Sequence, residues 1–251
     1  WPGAPRPTSF LMPQPQIMSS SSHQYLYRIM PLRHVFDLFE SRELHFASPE
    51  SWDDPYERVL RHKGSKSAFA QCWCTRAVSD AMWRIYSPDR TAVRIRSTRA
   101  KLLAVGARIR ATSHATFRLD EVDYRRAKDV DEGLANIASE LKKRFSMKRA
   151  VDALYLKRDA FDYEAEVRAI AFLQPKKDVE PPQYLRVPVD PHRFVDSILF
   201  DPRAEETYVR MASYFLTKAL RFDGPMSRSA LYRAANIDIP DDVEPLLPSD
   251  V

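Results

Sequence analysis

Residues 161–170, FDYEAEVRAI, set Glu164, Glu166 and Arg168 two apart among aromatic and aliphatic neighbours. In a strand, side chains at i, i+2 and i+4 share one face. The pattern therefore predicts two carboxylates and a guanidinium on one side, with Tyr163, Ala165, Val167 and Ala169 on the other. Two readings are open. A solvated face would carry the charges as a surface ion pair, contributing about 0–1 kcal/mol. A central strand, which the apolar flanks favour, makes a carboxylate costly unless it is paired or used. Two carboxylates at this spacing then suit a site with two roles. One stabilises a cationic transition state, and the other orients or deprotonates a nucleophile.

Other residues can be read the same way. Arg28 stands in LYRIM, inside an apolar strand-like run. It is either an edge arginine in a salt bridge or a guanidinium presented to a diphosphate, whose geometry arginine matches. In HFASPESWDDPYE, Ser48 closes a strand and opens a turn, a common place for ligand contact. Trp52, Asp53, Asp54 and Tyr56 follow and read equally well as turn chemistry. In MWRIYS, Met82 and Tyr86 share a helix face with Trp83 beside them, which is either core or a ring platform for a ligand.

Several chemistries lack their signature. The five glycines in 251 residues are dispersed, so neither GxGxxG nor GxxxxGK is present. Any phosphate would be held by side chains. Cys72 and Cys74 are the only cysteines, and the six histidines (23, 34, 45, 62, 114 and 192) form no metal-ligand spacing, so no metal is expected. The cysteines read as small apolar residues of a buried strand. Their scarcity and the lack of a secretory apolar segment point to a reducing, cytoplasmic setting. No run approaches the roughly 18 apolar residues of a membrane span. The net charge of +5 permits an anionic ligand or nucleic acid without requiring one. The basic stretch LKKRFSMKR (141–149) reads as a helix end or a nucleic-acid contact.

These residues need elements to position them. Residues 1–22, rich in Pro and Ser, read as a flexible arm, and 236–251 as an acidic, Pro-rich tail. A single domain is expected over 23–235. Strands are expected at 24–30, 43–48, 69–75, 91–97, 115–125, 161–173 and 193–200. Helices are expected at 31–42, at 79–87 behind a Ser79 cap, and at 129–146, where Val130, Leu134, Ile137, Leu141 and Phe145 share a face. A last helix is expected at 201–220, with Asp201 as cap and Pro202 in its first turn. The fold class is α+β around mainly antiparallel sheet.

The ordered set LYRIMPLRHVFDLFESRELHFASPESWDDPYE, CWCT, AMWRIYS, VRI, YEAEVRAI and VDSILFDPRA resembles a widespread bacterial family, domain of unknown function 2971. The resemblance spans about residues 25–220. That family is similar in layout to ADP-ribosyltransferases, in which a first strand carries Arg or His, a later strand Ser or Tyr, and a late strand the catalytic Glu. The resemblance implies a split antiparallel sheet with flanking helices and NAD as substrate. It implies Glu166 as the catalytic acid with Glu164 as its partner, and Tyr27, Arg28, Ser48, Trp83 and Tyr86 as NAD contacts. A Ser-Thr-Ser tripeptide is lacking, SPES being the nearest equivalent. ADP-ribose would pass to a macromolecular acceptor, protein or nucleic acid, in a toxin, effector or phage-defence setting, in the bacterial cytoplasm or delivered into a target cell. The alternative is an inactive nucleic-acid-binding or protein-interaction module on the same fold.

Overall fold

The computed structural model describes residues 24–52, 66–77, 79–113, 115–174 and 181–234. The expected arm (1–22) and tail (236–251) lie outside the described residues, as do Asp53, Asp54 and Tyr56.

Among the described residues a nine-stranded sheet is built from β1 (Tyr25–Pro31), β2 (Glu43–Ala47), β3 (Ala68–Cys74), β4 (Ala92–Thr98), β5 (Thr116–Glu121), β8 (Glu166–Phe172), β9 (Tyr184–Pro188), β10 (Ser197–Phe200) and β11 (Met226–Arg228). All its pairings are antiparallel except β10 with β11. β6 (Asp123–Arg125) and β7 (Leu156–Arg158) form a separate parallel pair. The helices are α1 (Leu32–Ser41), α2 (Asp80–Tyr86), α3 (Arg99–Ser113), α4 (Ala127–Lys143), α5 (Met147–Ala153), α6 (Pro191–Phe194) and α7 (Glu206–Lys218). The molecule is α+β, a largely antiparallel sheet flanked by helices.

Period-2 alternation sorts the sheet's two faces. Leu26, Phe46, Phe69, Trp73, Val93, Ile95, Val167 and Ala169 join the main core with Val35 and Leu38 of α1, Leu102 and Ile109 of α3, and Leu216 of α7. The opposite face holds smaller clusters. Ala68, Ala70, Ile170 and Phe172 pack with Val151 and Tyr155, and Tyr27 and Cys74 pack with Met82 of α2. α4 buries Val130, Leu134 and Ile137 against Ala153. Each such side chain contributes about 2 kcal/mol of apolar burial.

β3 organises the sheet. β8 pairs with it along all seven residues. β1 meets β3 only at Tyr27↔Cys74, and β2 meets it only at Ala47↔Ala70. Both therefore share the edge that β8 leaves, and the sheet forks between them. At the fork the backbone ladder is missing, and the Gln71 side chain takes its place. Its Nε2 donates to the His45 carbonyl at 2.8 Å, and its Oε1 accepts from Trp73 Nε1 at 3.2 Å.

Several expectations are corrected. The 161–173 strand is a 3-10 helix over Asp159–Glu164 followed by β8, because Ala165 adopts the left-handed conformation (φ 43°, ψ 53°) between them. The 115–125 strand divides into β5 and β6, which belong to different sheets. α7 starts at Glu206, not at Asp201. Asp201 is fully buried and turns the chain after β10, accepting from Arg203 N at 2.7 Å and Arg203 Nε at 3.0 Å.

Replacing Gln71 with Leu leaves the Trp73 indole N–H and the His45 carbonyl without that partner. The expected cost is about 2 kcal/mol, read as a lower urea midpoint at unchanged m-value. An unchanged midpoint would show that the fork does not depend on this side chain.

Candidate functional site

The site is built on the face of β8 turned away from the main core. Glu166 opens β8 opposite Cys74, and Arg168 follows opposite Cys72. Pleat alternation puts Glu166 and Arg168 on one side, as the sequence predicts. Glu164 reaches the same place by another route. It ends the 3-10 helix, and the left-handed Ala165 turns the chain so that both carboxylates meet one cation.

That cation is Lys157 on β7. Its Nζ lies 2.6 Å from Glu164 Oε2 and 3.2 Å from Glu166 Oε2. Arg168 grips Glu166 with two parallel hydrogen bonds, Nε to Oε1 at 2.9 Å and Nη2 to Oε2 at 2.8 Å. Glu166 is 5% exposed and Arg168 1%. The four formal charges cancel, which is the condition for burying them together. Burial acts to raise the Glu166 carboxyl, but Arg168 and then Lys157 outweigh it and hold it at about 2, against an ordinary 4.5. Glu166 is therefore ionised at neutral pH.

A second layer supports the charges. The Trp52 ring lies under the Arg168 guanidinium, 4.4 Å from its centroid. Tyr155 donates to the Arg168 carbonyl at 3.1 Å, and the Glu166 N–H donates to Tyr124 Oη at 2.9 Å. Beside Glu166, burial followed by the Glu166 charge pushes the Cys72 thiol well up, so it stays protonated at neutral pH and is not a nucleophile.

The sequence-predicted residues fall around this cluster. Arg28 is the first residue past the point where β1 leaves β3. Burial lowers its guanidinium, and Cys72 and then Tyr86 act in the opposite sense. Tyr27 packs with Cys74 and Met82, and Tyr163 packs against that group. The Tyr86 ring is 43% exposed. Burial of its hydroxyl end, with Glu164 next, pushes the phenol up. Trp83, one residue from Met82, is 1% exposed and has no ring face to offer a ligand; Tyr86 is the α2 aromatic that has one. The Ser79 cap starts α2 as expected, its Oγ accepting from Met82 N at 3.3 Å. Ser48 follows β2, and its Oγ accepts from Glu50 N at 3.3 Å in the turn that delivers Trp52. Ser48 thus stands in the turn whose Trp52 reaches Arg168, while Arg28 stands on β1 at the fork, opposite Ile95 of β4.

Sequence reasoning missed Lys157, Tyr124 and the polar role of Cys72. One signal for Lys157 existed. Two carboxylates and one arginine on a buried strand leave a deficit of one cation. Arg149, in the basic stretch 141–149, is paired with Glu140 at 2.6 Å and Asp152 at 2.9 Å, so it belongs to a helix–helix ion pair. Among the described residues no group of three His, Cys, Asp or Glu side chains is arranged to hold a metal ion, and no helix is long and apolar enough to cross a membrane.

The electrostatics predict a pH signature. The Glu166 carboxyl titrates lower in the fold than in the unfolded chain, so its contribution is complete above about pH 4.5 and is lost as pH falls toward 2. The shift corresponds to about 3 kcal/mol. Glu166→Gln leaves Lys157 and Arg168 short of a buried partner and is expected to cost about 3–5 kcal/mol at pH 7. Between pH 6 and 3 the melting temperature of the wild type should fall more steeply than that of the variant. Parallel curves would show that Glu166 ionisation is not coupled to folding.

No curated protein matches the chain. Among solved structures it is similar to the Thermus sp. 2.9 DarT in complex with carba-NAD+, at 10% identity and a TM-score of 0.36, over 82% of this chain and 94% of that one. Residues 82–169, from α2 into β8, match the family described as Protein of unknown function (DUF2971).

Proposed function

We propose that the chain is an NAD-dependent ADP-ribosyltransferase-like enzyme that cleaves the nicotinamide–ribose bond and passes ADP-ribose to a protein or nucleic-acid acceptor. One observation carries the reading. Glu164 and Glu166 are buried side by side, both within hydrogen-bond reach of Lys157. Motif order along the chain agrees with it.

On this reading Glu166, ionised at neutral pH, faces the ribose. Breaking the C1–N bond sends its electron pair to the departing nicotinamide and leaves an oxocarbenium-like centre, which a fixed carboxylate stabilises. Arg28 holds the diphosphate. Tyr86 offers its exposed ring to nicotinamide or adenine, Tyr27 and Ser48 line the NAD path, and Trp83 anchors α2 from within. Glu164 orients the acceptor and takes its proton as the new bond to C1 forms. A ribose hydroxyl reaches Glu166 by displacing Lys157 from its longer contact (3.2 Å), while Lys157 stays with Glu164 at 2.6 Å. The setting we propose is a bacterial toxin, effector or phage-defence protein, acting in the cytoplasm or delivered into a target cell.

A specific observation favours a second reading. Both Glu166 oxygens are engaged by cations, as in a module that keeps the fold as a binding surface without chemistry. Incubation with NAD labelled in the adenylate, with lysate as acceptor, separates the two. The enzyme reading expects nicotinamide release and label transfer by the wild type, reduced at least a hundredfold in Glu166→Gln. Arg28→Lys is expected to raise KM more than it lowers kcat, because it weakens binding common to ground and transition states. Wild type and Glu166→Gln behaving alike, with no release from either, would leave the binding-module reading standing.

A further inference from the structure

β1 and β4 pair in register from Tyr25↔Thr98 to Pro31↔Ala92. Alternation places Tyr25, Tyr27, Arg94 and Arg96 together on the face opposite the main core, since Leu26, Val93 and Ile95 belong to that core. The contacts repeat along a diagonal. The Arg94 guanidinium lies over the Tyr27 ring at 4.6 Å, and that of Arg96 over the Tyr25 ring at 4.5 Å. The result is a ladder of alternating cations and rings.

No carboxylate joins it. Neither arginine forms an ion pair among the described residues, and Nε and Nη1 of Arg94 and Nε of Arg96 are buried with no hydrogen-bond partner. Two guanidiniums on one strand face repel each other, and burying their inner N–H groups without acceptors has a cost. A neighbouring protein acid would relieve both, and none is supplied among the described residues. A ligand carrying regularly spaced negative charge would meet the outer guanidinium nitrogens, Nη2 of Arg94 and Nη1 and Nη2 of Arg96, and offset the repulsion between them.

The geometry selects among such ligands. Rungs two residues apart recur about every 6.7 Å. That is about twice the 3.4 Å axial spacing of charges on one strand of stacked duplex, so the repeat suits an extended, unstacked strand. Tyr25, 48% exposed, offers a ring on which a base can stack. An acidic peptide could answer the charge but would leave the rings unused. The ladder also runs into the candidate site. Arg94 is the charge that most opposes the burial-driven rise of the Cys74 thiol, which stands at about 11, and Cys74 faces Glu166 across the β3–β8 pair.

We infer that the Arg94–Arg96 and Tyr25–Tyr27 ladder binds a single-stranded nucleic acid, phosphates on the arginines and a base on Tyr25. As the path of an acceptor toward Glu164 and Glu166 this rests on the reading above; as a binding surface it does not. The test contains no NAD, so its outcome is separate from that of the transfer assay. Fluorescent single-stranded DNA and RNA oligonucleotides, the matching duplex and a polyglutamate peptide are titrated between 50 and 200 mM salt. The wild type is expected to bind the single strands and to weaken with salt. Arg94→Gln with Arg96→Gln should lower the log–log salt slope by about 1.4, two contacts at about 0.7 each. Tyr25→Ala, at an exposed position, should weaken binding roughly tenfold at an unchanged slope. Circular dichroism confirms that each variant is folded. The inference is overturned if single strands do not bind at 50 mM salt, if the folded double variant keeps the wild-type slope, or if duplex or polyglutamate binds as tightly.

Discussion

Two carboxylates lie within reach of one lysine in the interior of this protein, and the arrangement is tenable only because Lys157 and Arg168 cancel their charge. Remove either cation and two buried carboxylates share the other in a place where water compensates poorly. That requirement propagates outward. Arg168 must be held flat, so Trp52 lies under it and Tyr155 bonds its carbonyl. Lys157 must come from outside the main sheet, so β7 pairs with β6 and presents it from the side. The smaller clusters beside β8 are in this sense a mounting for four charges.

The second organising element is β3, which serves three strands with two edges. β8 occupies one edge along its whole length, and β1 and β2 divide the other. The fork puts Arg28 at the opening on one side and delivers Ser48 and Trp52 from the other. Residues distant in the chain thus come to one fork without any glycine-rich loop. The rigidity of paired strands does the positioning.

How far the sequence could be read depended on whether local chemistry or distant contacts decide the outcome. α1, α2 and α4 were legible because apolar spacing, and for α2 the Ser79 cap, specify them locally. β1, β3 and β4 were legible as apolar or alternating runs. α3 was not, because its apolar residues form no clear stripe, and the short β7, β9 and β11 are defined by partners far away in the chain. The Glu166–Arg168 face was legible because it follows from pleat geometry. The Lys157 contact was not, since it joins β7 to β8 through side chains alone. Asp201 looked like a helix cap because it precedes Pro202 and two glutamates; burial against Arg203 gives it a different partner.

Ala165 carries a consequence of its own. A non-glycine residue with φ of 43° and ψ of 53° is uncommon, and here its carbonyl is claimed by Thr75 N at 3.0 Å, which pins the turn to the end of β3. The two glutamates are therefore not successive teeth of one pleated edge. One belongs to a helical turn and one to a strand, with a hinge of a single residue between them. A pleat would lock their separation to an even number of residues. A hinge imposes no such parity, so a relative with a longer or shorter gap between its two acids could bring them to the same lysine, and a fixed Glu-x-Glu pattern would overlook it.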